Sequence, residues 1–218
     1  MKKLSLSFYQ REDVVLIAKE LLGKIIVTKF DGIVVSGRII ETEAYNGIVD
    51  KASHAYGGRR TAGTEIMYQQ GGTAYVYLCY GIHHLFNVVT NSKDIPHAVL
   101  IRGIEPLAGI EAMMYRLNKT KNDKTIGKGP GNTSKALGIL TKHTGHSLLS
   151  KNLFIEDDGY KINPANILIG PRIGVDYAQE DAMLAYRFRY MVGGPTYVLT
   201  SVGYGKKGKP ENRPKAFF

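Results

Sequence analysis

The chain has 218 residues, 44% of them hydrophobic and 22% charged, and its 29 Lys and Arg against 19 Asp and Glu give a formal net charge of +10. That balance excludes wholesale disorder and provides enough apolar material for the core of one ordinary or large domain. No apolar run approaches the ~20 residues of a membrane helix. Met1-Lys2-Lys3-Leu4 is basic, but no apolar stretch of a signal peptide follows it, so neither a membrane span nor a leader is expected. The single cysteine, Cys79, permits no intramolecular disulfide and no cysteine-based zinc site, and it suits a reducing, cytoplasmic setting. The positive charge suits a polyanionic partner, attracted by counterion release and long-range steering.

In chain order, residues 13–22 read as a helix with Val14, Leu16, Ala18, Leu21 and Leu22 on its apolar face and Gly23 as its stop. Residues 24–30 and 33–44 read as strands joined by the Asp31-Gly32 turn, a strong hairpin signal. Residues 73–80 and 85–90 form a second antiparallel pair turning around Gly81, and 97–104 a further strand. Pro106 is expected to open a helix running to about Leu117, because the first helical turn tolerates proline. Residues 118–128, rich in Lys, Thr and Asn, read as a mobile loop, and 132–140 as a short helix capped by Asn132, Thr133 or Ser134. Short strands are expected between 154 and 200, and a basic, flexible Gly/Pro-rich tail from about 203. The expected fold is α+β: a single domain, 1–218, built on a curved, mainly antiparallel sheet flanked by helices.

Several residue groups can carry chemistry. On a regular strand Glu41 and Glu43 share a face with Ile39; strand-mounted carboxylates serve as a general base, as a metal site or as the pair of a sugar-bond hydrolase, and equally as a structural ion pair. Tyr75 and Tyr77 share one face of their strand, while Tyr80 sits beside the Gly81 turn, where an aromatic side chain can project as a wedge between base steps. Arg102, after Val99-Leu100-Ile101, needs a partner for its charge. His83 and His84 are adjacent and face opposite ways on a strand, and no HExxH pattern occurs, so no metal site is expected. Gly129-Pro130-Gly131 leads into a helix start, which fits a phosphate cradle or a plain helix entry.

The order and spacing of these blocks are more specific than any one of them. The chain resembles the alkyladenine (3-methyladenine) DNA glycosylase family from about Leu16 to Thr200. The resemblance is carried by Leu21-Leu22-Gly23-Lys24, Glu41 to Tyr45, His54 with Gly57-Gly58-Arg59, Tyr75 to Gly81, and Asn87. It continues through Arg102-Gly103-Ile104-Glu105-Pro106, Gly129-Pro130-Gly131 with Ala136-Leu137-Gly138-Ile139, and Arg172-Ile173-Gly174-Val175. It implies a monofunctional enzyme that flips a damaged purine from double-stranded DNA and hydrolyses its glycosidic bond, acting as a monomer with no metal or organic cofactor. It also implies roles: Glu43 as the base that activates water, Arg102 as its helper, Tyr45, His54 and Tyr77 as walls of the base pocket, Asn87 as an obstacle to the amine of guanine, and Tyr80 as the plug for the vacated stack. Two positions depart from the pattern: Gly63-Thr64 stand where Arg-Asn is usual, and Ile82 where Met is common. Two rivals remain at this level, a non-catalytic nucleic-acid binder and a carbohydrate hydrolase using Glu41 and Glu43.

Overall fold

The structure, a computed structural model, describes residues 1–192, so the basic tail expected from about 203 lies outside the described residues. Nine strands are present among them: β1 (Lys2–Lys3), β2 (Ile25–Phe30), β3 (Ile33–Tyr45), β4 (Ala74–Cys79), β5 (His83–Thr90), β6 (His97–Ala108), β7 (Leu153–Asp157), β8 (Ile167–Gly170) and β9 (Arg187–Tyr190). Four α-helices accompany them, besides short 3-10 turns: α1 (Leu6–Tyr9), α2 (Val14–Leu21), α3 (Ile110–Arg116) and α4 (Pro130–Leu137). The strands form one sheet in the order β1-β7-β2-β3-β6-β5-β4, with β9 also pairing β3 and β8 pairing β9, and every pair is antiparallel. This is the α+β class expected from the sequence. No helix among the described residues is long and apolar enough to cross a membrane.

Strand β3 organises the sheet. One of its edges pairs with β6 along most of its length. The other pairs with β2 over its first half and with β9 at Glu41–Glu43. The β2–β3 turn is the expected one, with Asp31 (φ 52°) and Gly32 (φ 75°) both left-handed, the geometry that lets a two-residue turn follow strand twist. The main core lies against one face of the sheet: Phe86 and Val88 of β5 and Val99 and Ile101 of β6 pack with Ile17, Ala18 and Leu21 of α2, Met113 of α3 and Leu137 of α4. Full burial of each large aliphatic side chain there contributes about 1.5–3 kcal/mol.

Several expectations are corrected. The buried stripe of α2 is Val14, Ile17, Ala18 and Leu21, spaced i, i+3, i+4, i+7, and Leu16 is 43% exposed. Asp13 caps this helix by accepting the Leu16 N–H at 2.9 Å. Pro106 opens no helix; it lies in β6 opposite Gly37, beside a break in register between Ser36 and Gly37, where a missing N–H is tolerated. Residues 118–128 are not a loose loop throughout: Ile126 is fully buried, and Gly127 passes so close to β6 that a Cβ there would collide with the Ile104 carbonyl oxygen. Asn132, Thr133 and Ser134 lie inside α4, behind Pro130 at its start, rather than capping it. Thr133 donates to the Arg102 carbonyl at 3.1 Å and Ser134 accepts from the Phe86 N–H at 3.2 Å, so they tie the helix to β6 and β5. Ile39 does not share the face of Glu41; an irregularity in the β3–β6 pairing separates the two, and Ile39 joins the main core.

Candidate active site

Alternation along the strands sorts the polar residues onto the face opposite the core. Register then aligns them: Glu43 stands opposite Leu100, Leu100 opposite Asn87, and Asn87 opposite Tyr75, one row across β3, β6, β5 and β4. Directly opposed residues point to the same side of a sheet. Arg102 and Tyr77, two positions along their strands from Leu100 and Tyr75, share that face. A small apolar cluster of Ala55, Met67, Tyr68, Tyr75, Val89 and Ala98, with Tyr77 against it, packs there as well.

Glu43 is fully buried. One oxygen, Oε1, lies 3.3 Å from Arg102 Nη1 and accepts the Ile173 N–H at 2.9 Å, while Oε2 accepts from the Tyr45 hydroxyl at 2.8 Å. Burial raises its pKa above the ordinary glutamate value, opposed by the Arg102 charge, the Ile173 amide and the Tyr45 hydroxyl, with Glu41 adding repulsion. Burial first, then the neighbouring carboxylate, keeps Tyr45 protonated far above its usual range, so it stays a donor. Glu41, 5% exposed, is held by Arg102 and Arg187, each at 3.3 Å, and by Arg189 at 3.9 Å. Burial disfavours the Arg102 charge, but Glu43 and Glu41 outweigh it and hold the guanidinium protonated. The pair is thus asymmetric: Glu41 anchors arginines, whereas Glu43 sits among donors suited to orienting one carboxylate.

The remaining expected residues gather around this centre. His54 packs edge-on against Tyr77 with ring centroids 4.7 Å apart, and its Nδ1 shares a 2.7 Å hydrogen bond with the Tyr75 hydroxyl. Burial, aided by Arg59, lowers the His54 pKa and so favours the neutral ring. Asn87 is buried, and its amide nitrogen donates to the Tyr75 and Leu85 carbonyls at 3.3 and 3.2 Å. A cleft of about 400 Å³ opens beside His54, lined by Lys51, Ser53, Tyr56, Arg59 and Tyr177. A second cavity, of about 470 Å³, lies around Ile66 and Thr144 and is lined by none of the site residues.

The profile of the methylpurine-DNA glycosylase family matches residues 7–195. The chain belongs to that family. It is a DNA-repair glycosylase, a hydrolase that acts on DNA. Three bacterial relatives, each named "Putative 3-methyladenine DNA glycosylase", agree in extent. The one from Clostridium perfringens strain SM101 is 44% identical, covering 85% of this chain and 94% of its own length. The one from Chlamydia abortus is 46% identical over 84% and 95%, and the one from Bacillus mycoides 47% over 84% and 94%.

In this glycosylase Tyr80 does not lie in the row. It occupies the β4–β5 turn, where the Ile82 N–H closes onto the Cys79 carbonyl at 3.1 Å and both Tyr80 (φ 51°) and Gly81 (φ 72°) are left-handed. A left-handed aromatic costs about 1–2 kcal/mol. Tyr80 is 87% exposed and Ile82 71%, so a strained turn thrusts two apolar side chains into solvent. At the Gly63-Thr64 departure, Gly63 is exposed, whereas the buried Thr64 hydroxyl accepts the Thr61 N–H at 2.8 Å and donates to the Arg59 carbonyl at 3.0 Å, closing the turn internally.

Several contributors to the candidate site had no role assigned from the sequence. Arg187 and Arg189 reach Glu41 from β9, and Asp50 pairs with Arg172 across 122 residues of sequence. The Ile173 N–H is a backbone donor, invisible in residue type. The alternation Arg187-Phe188-Arg189 on a short strand was the one available signal for the first two.

Proposed function

We propose that the enzyme flips a damaged purine out of duplex DNA and hydrolyses its bond to C1′ of the deoxyribose, leaving an abasic site. The observation that carries this reading is the row on the sheet: a buried carboxylate, Glu43, oriented by three donors and set beside aromatic and amide groups able to wall a flat ring. As the C1′–N bond lengthens, its electron pair leaves with the purine and positive charge grows on the sugar. Glu43 stabilises that charge and accepts a proton from the water whose oxygen bonds to C1′. Arg102, which bridges Glu41 and Glu43, holds the base in place and helps position the water.

Purines alkylated at N3 or N7, such as 3-methyladenine and 7-methylguanine, already carry positive charge. They leave readily and stack favourably on Tyr45 and Tyr77. Hypoxanthine and ethenoadenine are the neutral substrates of the same pocket, and Asn87 obstructs undamaged guanine. Flipping costs a few kcal/mol, less at damaged pairs, and Tyr80 with Ile82 fills the vacated stack. The charge of +10 supplies sequence-independent affinity for the phosphates, as a search for damage requires. The resemblance to the family further implies a monomer.

The test is release of 3-methyladenine and 7-methylguanine from alkylated DNA, together with alkali-revealed cleavage of duplexes containing hypoxanthine or ethenoadenine. Base release without covalent trapping by borohydride is expected. A trapped adduct would mean an amine nucleophile and a different mechanism. Lesion binding without any base release would favour the non-catalytic binder.

A further inference from the structure

Behind Glu43 lies a second buried ion pair that the reaction does not touch. The Arg172 side chain is fully enclosed and that of Asp50 nearly so. Arg172 Nη2 donates to Asp50 Oδ1 at 2.8 Å and Nη1 bonds the other carboxylate oxygen, a two-pronged pairing. The same guanidinium donates to the Ala44 carbonyl at the end of β3, at 2.9 Å, and to the Asp181 carbonyl at 3.1 Å. It lies 4.9 Å from the centre of the Tyr45 ring and 5.3 Å from that of Tyr186. Asp50 in turn accepts the Asn46 and Ala52 N–H groups, at 2.9 and 3.0 Å, and so gathers the segment that leads to His54.

For stability alone such a pair is a poor choice. Removing two charges from water costs several kcal/mol, and well-packed apolar residues of similar volume often do as well or better. Its geometry points elsewhere. The residue after Arg172 is Ile173, whose N–H is on Glu43 Oε1, and the ring against Arg172 is that of Tyr45, whose hydroxyl is on Glu43 Oε2. Two of the three donors to the carboxylate are therefore held by one guanidinium.

We propose that the Arg172–Asp50 pair positions Glu43 for the reaction, by fixing the Ile173 amide and the Tyr45 hydroxyl on its two oxygens. The proposal rests on the reading of Glu43 as the base. It makes Arg172 and Asp50 positioning residues, acting through other groups and touching no substrate. Loss of the pair frees the Ile173 arch and the Tyr45 ring, weakens both donors, and makes the ionised form of Glu43 less favourable and less well aimed. The other titratable groups around Glu43 are Glu41 on its own strand, Arg102 from β6, Tyr77 from β4 and Tyr177, with Arg187 opposite it on β9.

The experiment is single-turnover excision, followed from acid to alkaline pH, by wild type, Arg172→Lys, Asp50→Asn and Glu43→Gln, with lesion-duplex affinity measured alongside. Arg172→Lys keeps the charge but loses the fork; Asp50→Asn keeps the shape and is the second variant should the first fail to fold. The expected result for a folded variant is a single-turnover rate reduced about tenfold or more at neutral pH, the scale on which small misplacements near a reacting centre act. The acid limb of its profile should move to higher pH, because a carboxylate deprived of donors holds its proton more tightly, and DNA affinity should stay within about twofold. Combined with Glu43→Gln, either variant should cause little further loss, since both act on one group. A folded Arg172→Lys or Asp50→Asn protein with wild-type rate and an unmoved acid limb would overturn the proposal and leave the pair structural. So would a loss confined to DNA affinity. A Glu43→Gln protein as active as wild type would instead remove the reading of Glu43 itself, and the role of the pair with it.

Discussion

The two faces of the sheet are built from the same strands and do opposite things. On β5, Phe86 and Val88 turn into the main core while Asn87 between them turns to the polar face. On β6, Ile101 enters the core and its neighbour Arg102 meets two carboxylates. The period of two places an apolar anchor beside each polar group, so the candidate site is carried on packed, paired strands rather than on loops. One face holds itself together by burial. The other tolerates buried charge because that charge is paired.

Substitution of adjacent residues on β5 separates the two faces most clearly. Phe86→Ala should destabilise the protein by roughly 3–5 kcal/mol in chemical denaturation, through lost burial and the cavity left behind. Asn87→Ser, one residue along, should cost only about 1 kcal/mol, the scale of a lost hydrogen bond, while increasing release of undamaged guanine. Equal stability losses would erase the difference between the faces, and unchanged guanine release would remove the obstructing role of Asn87.

A subtler contrast sets the strained turn against the sheet. Tyr80→Asn places a residue tolerant of left-handed backbone at φ 51° and should raise stability by roughly 1 kcal/mol. The same change should slow excision from duplex DNA more than from single strands, because only the duplex needs a plug. Equal slowing on both substrates would count against the wedge.

The smallest effect lies away from the site. His143 is buried, stacks on Phe30 with ring centroids 4.1 Å apart, and accepts the Leu140 N–H at 3.0 Å. Burial, with His146 and Lys142 nearby, lowers its pKa to about 4. The folded protein therefore binds fewer protons here than the unfolded chain, whose histidine titrates near about 6.5. The contribution is fully present above that value and is lost as pH falls toward about 4. The fall in melting temperature between neutral pH and pH 5 should be shallower in His143→Gln than in wild type; an unchanged slope would contradict the assignment.

What the sequence revealed follows the range of the physics. The β2–β3 hairpin was legible because Asp31-Gly32 encodes its turn locally, and α2 because its spacing and Asp13 are local too, though the neighbouring apolar residues Leu16 and Ile17 were exchanged. Pro106 misled because a register break, which lets a strand accept proline, depends on the partner strand. Ile126 was hidden in a polar segment because a single buried side chain leaves no period. Glu43, Arg102 and the tyrosines were legible as a pattern of blocks, yet the row that joins them depends on register among four strands. Arg172 and Ile173 were legible as part of a block but without a role: the pairing with Asp50 joins distant parts of the chain, and the Ile173 amide carries no side-chain signature.

The decisive measurement is single-turnover excision of a lesion from duplex DNA by wild type and by Glu43→Gln, with the fold checked by circular dichroism and lesion binding measured in parallel. The prediction is a loss of about 10²–10⁴-fold in rate, the usual worth of a positioned base, with binding retained. A folded Glu43→Gln protein that releases the base at the wild-type rate would contradict it.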